Sequence, residues 1–242
     1  MKMDIFSFSR LNLYQTCPKR FYYKYVLDKD EPVTKPLALG KAVHKTVEDM
    51  IKGSDLNSAV QQGLVEADFH PEVKEEEIRE IVKKAPIHKG IGRTEEYFCL
   101  PLSDSPSAPY LQGYIDLVEE NEQGVTITDW KTNWKPYDIQ TNHQIALYAW
   151  GIQKKRDVDK VCGKLSFLRF GRESVHVFDK EDMEQARKWA LKLANEINSK
   201  LTILEIMPEK VDELFPDEPS SACSHCPFAL ECFRNFSQYK NY

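Results

Sequence analysis

At 242 residues, 41% hydrophobic and 29% charged, the chain has the composition of a soluble globular protein and enough length for one large domain or two small ones. No apolar run approaches a membrane span, and no repeat or low-complexity tract stands out. The formal net charge of −5 excludes a protein that grips phosphate with its whole surface, so any nucleic-acid contact must draw on local positive charge. Lys19, Arg20 and Lys24, interleaved with Phe21, Tyr22, Tyr23 and Tyr25, form one such cluster. It reads at least as well as the solvated face of an amphipathic helix.

In chain order, Ser7 or Ser9 can cap a first helix that runs through Leu11, Leu13 and Tyr14 toward Cys17. Pro18 suits the first turn of a second helix over 19–26. After a Pro-containing linker, helices are predicted over 37–51, 56–67 and 72–84. The pattern then changes to strands over 95–102, 110–119 and 125–130, joined by Ser-, Pro-, Asn- and Gly-rich turns. A helix over 138–153, strands over 160–170 and 174–178, and a long helix over 180–204 complete the series. This order predicts an α/β fold, a mixed sheet flanked by helices with a helical N-terminal insertion. The expected organisation is a single domain over 1–242, with a mainly helical part (1–90), a core (91–205) and a terminal cysteine segment (206–242).

Four of the six cysteines lie at the chain's ends. Cys17 precedes Pro18, and Cys223, Cys226 and Cys232 form C-x2-C-x5-C in a loop-like stretch. Such spacing lets the thiolates face one metal centre. A shared cofactor would close a very long loop, removing on the order of 4 kcal/mol of chain entropy from the unfolded state. Disulfides would need an oxidising compartment, whereas the first residues lack an apolar signal core and point to the cytoplasm. Zinc is the alternative cofactor, although zinc ribbons usually pair two C-x2-C knuckles. Cys99 and Cys162 lie in apolar strand-like stretches and are expected in the core.

Between the cysteines runs a series of polar residues at strand ends: Gly40-x-x-x-His44, Gly113-x-x-Asp116, Asp129-x-Lys131, then Gln144-x-x-x-Tyr148. Strand alternation puts Asp129 and Lys131 on one face. A carboxylate beside an ammonium suits phosphodiester cleavage: the first holds a divalent ion, the second orients water and offsets charge. Asp116 adds a second carboxylate, and His44 a nitrogen ligand that favours manganese over a purely oxygen-ligated magnesium. Gln144 and Tyr148 share a helix face and can contact DNA or simply pack. Alone, a D-x-K pair is more often a surface ion pair, and a lone His a satisfied helix residue.

Taken in order with Ser7-Phe-Ser9-Arg-Leu11, Tyr14, Cys17-Pro18 and Phe21, these pieces resemble the RecB-like branch of the PD-(D/E)XK nuclease superfamily. The chain is similar to its iron–sulfur members, the AddB-type nuclease domains and the CRISPR-associated adaptation exonucleases. The resemblance implies His44, Asp116 and Asp129 as ligands of Mn²⁺ or Mg²⁺, with the Trp130 carbonyl as an extra ligand and Lys131 as catalytic. It implies Gln144 and Tyr148 at DNA, and Cys17, Cys223, Cys226 and Cys232 around a 4Fe-4S cluster. Some relatives use a first-strand glutamate, here Glu95 or Glu96. The implied activity is a metal-dependent DNA exonuclease on single-stranded ends, in repair or recombination, CRISPR adaptation or phage DNA metabolism. With no G-x-x-x-x-G-K-[ST] loop, any helicase is expected to be a separate recombination or adaptation partner. The alternative is a non-catalytic iron–sulfur module that binds DNA or senses redox state.

Overall fold

The computed structural model describes residues 2–233, so the end of the terminal cysteine segment, 234–242, lies outside the described residues. Its first elements are β1 (Ile5–Ser7), α1 (Phe8–Thr16), α2 (Pro18–Phe21), a π-helical turn at Tyr22–Val26, α3 (Lys35–Lys52), α4 (Leu56–Glu66) and α5 (Glu75–Val82). Then follow β2 (Arg93–Pro101), β3 (Tyr110–Asn121), β4 (Gly124–Lys131), α6 (Gln144–Arg156), β5 (Val161–Phe167), β6 (Arg172–Phe178), α7 (Lys180–Ile206) and α8 (Val211–Leu214). Among the described residues no helix is long and apolar enough to cross a membrane. The chain divides into two compact units. Among the described residues, one comprises 2–32, Pro101–Leu111 and 189–233; the other comprises Val33–Leu100 and Gln112–Lys188.

The first, terminal unit is held by aromatic packing. Ser7 is the cap of α1, its hydroxyl accepting the Arg10 N–H at 3.3 Å. Phe21 stacks on Phe215 at 6.4 Å, and Tyr14 meets Phe21 edge-on at 5.4 Å. The Tyr14 hydroxyl donates to Glu196 on α7 at 2.6 Å. Lys19, 6% exposed, forms an ion pair with Asp212. The Tyr110 N–H donates to the Asp4 carbonyl at 2.7 Å beside β1. The helix predicted over 19–26 is thus one short α-turn that widens into a π-turn.

The second unit contains a mixed sheet. β3 and β4 are antiparallel from Asn121↔Gly124 to Leu117↔Thr128. β4 and β5 are parallel from Val125↔Val161 to Lys131↔Phe167, and β5 and β6 are antiparallel. Along β4 the two-residue period sets Ile127, Asp129 and Lys131 on one face, and Thr128 and Trp130 on the other. α6 covers the first face, with Ile145 and Phe178 closing over Gly163, which lies opposite Ile127. On the second face Ala42, Val43 and Val47 of α3, Val60 of α4 and Ile78 of α5 join Leu117, Trp130 and Leu168 in one core cluster.

Two expectations need correction. The helix predicted over 138–153 begins only at Gln144, after a 3-10 turn at Ile139–Thr141. Asp138 accepts the Gln140 N–H at 2.8 Å, Thr141 donates to the Asp138 carbonyl at 2.7 Å, and Asn142 accepts the Gln144 N–H at 2.9 Å. Such local side-chain bonds compete with helix formation. Cys99 and Cys162 are half-buried rather than core residues, because Phe98 and Val161 take the inward positions beside them.

α3 bears His44, and its seat depends on Gly63. A Cβ at Gly63 would lie 2.5 Å from the Ala42 carbonyl oxygen and closer still to Thr46 Oγ1. By contrast, a Cβ at Gly40 would meet Thr132 Oγ1 at an ordinary 3.7 Å. Gly63→Ala is therefore predicted to cost ~1–3 kcal/mol through overpacking and to lower Tm by several degrees. Gly40→Ala is predicted to be neutral or mildly stabilising, as Ala is the better helix former. Thermal melts that rank the two variants the other way would contradict this packing account.

Candidate active site and a four-cysteine pocket

The site in the sheet unit grows from a divergence of strands. The β3–β4 ladder reaches Leu117↔Thr128, while β4 stays paired with β5 through Lys131. Beyond the ladder, the Trp130 N–H donates to Asp116 Oδ2 at 2.7 Å. The side chain of Asp116 thus replaces a backbone acceptor, which fixes its carboxylate between the parting strands. From α3, His44 sets Nδ1 3.4 Å from Asp116 Oδ1 and Nε2 2.8 Å from the Trp130 carbonyl.

On the same face of β4, Asp129 is buried at 4% exposure. Lys131 Nζ lies 2.7 Å from Asp129 Oδ2. That oxygen accepts no well-angled hydrogen bond, so the contact is ionic rather than directional. Gln144, the first residue of α6, ties the pair together. Its Oε1 accepts from Lys131 Nζ at 2.9 Å and its Nε2 donates to Asp129 Oδ1 at 2.9 Å, with Tyr148 Oη at 3.3 Å. A Cβ at Gly113 would lie 2.8 Å from the Phe98 ring and 2.9 Å from that of Tyr148, so only glycine leaves room for both rings here.

Electrostatics follow this geometry. Burial alone would lower the His44 pKa, but the adjacent Asp116 carboxylate and the charge of Asp129 push it up to about 9. Burial raises the Asp129 carboxyl, against the pull of the Lys131 ammonium. Burial likewise disfavours charge on Lys131, yet Asp129 outweighs it and holds the ammonium above its ordinary range.

A cleft of about 510 Å³ opens beside His44 and Asp116 and is also lined by Glu95 and Glu48. Glu95 adopts a left-handed backbone, φ 52°, in mid-strand, a conformation costly for a non-glycine residue. Its carboxyl is raised by burial and by Asp116 and Glu48. Glu96 instead pairs with Lys155 and Arg156, each at 2.7 Å. Of the two glutamates, Glu95 is the one at the cleft. Tyr137 and Glu48 were not singled out in the sequence. Glu48 lies one helical turn beyond His44, a spacing that could have flagged it, whereas Tyr137, raised by burial and facing Lys131 and Asp129, sits in a loop without a pattern.

Among the described residues no three His, Cys, Asp or Glu side chains stand at the spacing of a ready-made metal site. The donors are paired with one another: His44 with Asp116 and the Trp130 carbonyl, and Asp129 with Lys131. Two carboxylates, a carbonyl and a His44 ring that must give up its proton to coordinate, with one carboxylate oxygen buried without a directional partner, form a donor set suited to Mg²⁺ or Mn²⁺.

In the terminal unit, Cys17, Cys223, Cys226 and Cys232 line one pocket together with Lys19, Arg20 and Tyr23. Among the described residues none of the six cysteines forms a disulfide. Cys17 is the N-cap of α2, with Pro18 in the first turn. Ser220 caps the 3-10 turn Ser221–His225 that carries Cys223, whose sulfur accepts the Ser220 N–H at 3.4 Å. The Cys232 N–H donates to the Phe228 carbonyl at 2.9 Å, and Phe228 packs edge-on against Tyr23 at 5.3 Å. Burial raises the Cys232 thiol, as do the nearby Asp217, Cys17 and Cys226.

No curated protein matches the sequence significantly. Among solved structures, the crystal structure of SSO0001 is similar with a TM-score of 0.45 and 12% identity, over 96% of this chain and 87% of that one. The profile of the PD-(D/E)XK nuclease superfamily matches residues 5–233, a span that holds both the β4 cluster and the four cysteines. The chain belongs to the PD-(D/E)XK nuclease superfamily.

Proposed function

We propose that this protein is a metal-dependent DNA exonuclease of the RecB-like, iron–sulfur branch, hydrolysing phosphodiester bonds at single-stranded ends. The observation that carries the reading is the pair of buried Asp129 with part-buried Lys131, locked by Gln144, next to a cleft bearing His44, Asp116 and Glu95. A surface ion pair, the common fate of D-x-K, would not be buried and cross-linked in this way.

Nucleases of this superfamily use divalent ions such as Mg²⁺ or Mn²⁺. His44, Asp116, Asp129 and the Trp130 carbonyl would hold such an ion, which when bound polarises the scissile phosphate and lowers the pKa of water. Lys131 keeps its ammonium in the site, where it orients the attacking water and offsets charge developing on the phosphoryl oxygens. Gln144 fixes both members of the pair, so its first role is to position Lys131 and Asp129. Tyr148 supports Gln144 from the next helical turn, and DNA contact by either residue is secondary to that role. Cys17, Cys223, Cys226 and Cys232, which line one pocket, would hold a 4Fe-4S cluster, and its role would be structural, since four thiolates leave no iron position for a reacting group. A helicase, recombination or adaptation protein is the partner this reading proposes.

Lys131→Ala is expected to lower cleavage of end-labelled single-stranded oligonucleotides at least a hundredfold, on the order of the loss of one transition-state donor. Its circular dichroism spectrum should stay native-like while its Tm falls, because Asp129 loses its counter-charge, and EDTA should abolish wild-type cutting. Gln144→Ala should lower kcat with little change in single-strand affinity. Equal kcat accompanied by weakened binding would make Gln144 a DNA contact instead. Full activity in Lys131→Ala would defeat the catalytic assignment.

Anaerobic purification should yield brown protein with iron and acid-labile sulfide in equal amounts. Cys17→Ser should lose both and melt at a lower temperature. A colourless protein with stoichiometric zinc would replace the cluster with a zinc site.

A further inference from the structure

Three residues beyond Lys131, Trp134 is 72% exposed, a rare position for the largest apolar side chain. Its inner face is already covered: the Arg169 guanidinium lies 3.9 Å from the ring centroid. Arg169 is itself held in place. Its Nε donates to the Thr132 carbonyl at 2.8 Å, and a terminal nitrogen donates to Glu77 at 3.0 Å. Lys35 reaches the same Glu77 at 2.9 Å, which leaves one excess positive charge among the three groups. The ring borders a cleft of about 480 Å³, whose lining includes Pro36, Leu37 and Asn133. That volume lies within the ~300–1,000 Å³ range of small-ligand clefts.

We propose that Trp134 is a stacking platform for a nucleobase of the strand held at the Asp129–Lys131 site. The proposal rests on the nuclease reading above and adds a binding position to it. A fixed guanidinium under one face orients the indole and leaves the other face open, and bases of any identity stack on such a surface. Lys35 and Arg169 place positive charge where the flanking phosphates run, which an overall acidic chain must supply locally. Three residues of extended chain span at most about 11 Å, so the ring stands within reach of nucleotides next to the scissile bond. The platform favours unpaired strands, because a base inside a duplex has no free face to offer.

The test is equilibrium binding of labelled single-stranded oligonucleotides, with Mn²⁺, to the full-length Lys131→Ala chain and to the same chain carrying Trp134→Ala or Trp134→Phe. The oligonucleotides are intact or carry one abasic site at successive positions. Trp134→Ala should weaken binding about tenfold, the scale of one lost base–aromatic stack, and Trp134→Phe should restore most of it. One abasic position should weaken the parent to the same degree and leave the Trp134→Ala chain unaffected. Unchanged affinity in Trp134→Ala, or an abasic penalty of equal size in both chains at every position, overturns the platform alone. If the parent binds no single-stranded DNA and the unmutated chain cuts none, the nuclease reading falls with it.

Discussion

Asp129 and Lys131 stand two residues apart on one face of β4, and the carboxylate is almost fully buried. An ionised carboxylate in that position costs several kcal/mol unless an opposite charge and hydrogen bonds compensate. Lys131 supplies the charge, and Gln144 donates one bond to the carboxylate and accepts one from the ammonium, so the first turn of α6 and the end of β4 must remain in register. The parallel pairing with β5 holds β4 rigid through Lys131. On the other side, β3 pairs with β4 only from Leu117 onward, and Asp116, just before that ladder, captures the Trp130 N–H with its carboxylate. That local break in the sheet places Asp116 beside the Asp129–Lys131 pair.

The two constellations have different supports. The acidic centre is built from strand ends and two helices within one compact unit, so its geometry follows from sheet register and from the seating of α3 on Gly63. The cysteine pocket lies in the other unit, where segments from both ends of the chain meet through Tyr14, Phe21 and Phe215. Apolar packing already joins those segments. A cofactor on the four thiolates would add a cross-link to an existing contact, which suits a structural role.

Much of this was legible in the sequence. Strand alternation placed Asp129 and Lys131 on one face, and the order of helices and strands foretold a mixed sheet with flanking helices. C-x2-C-x5-C together with Cys17 named the residues that share a pocket. Other features lay beyond sequence reading because they depend on tertiary contacts. The choice between Glu95 and Glu96 turns on a left-handed backbone residue and on Arg156, distant in sequence, claiming Glu96. The late start of α6 reflects three local side-chain hydrogen bonds that outweigh helix propensity. The pairing of Gln144 with Lys131, and of Arg169 with Trp134, joins residues whose separation carries no periodic signal.

The central claim is that the strand divergence gathers His44, Asp116, Asp129 and the Trp130 carbonyl around a single divalent cation. A crystal soaked with Mn²⁺ and measured at the manganese absorption edge tests it most directly. The account predicts one anomalous peak bonded to all four groups, with Lys131 and Gln144 beside it. A peak bound elsewhere, or none while those side chains keep their mutual pairs, would contradict it.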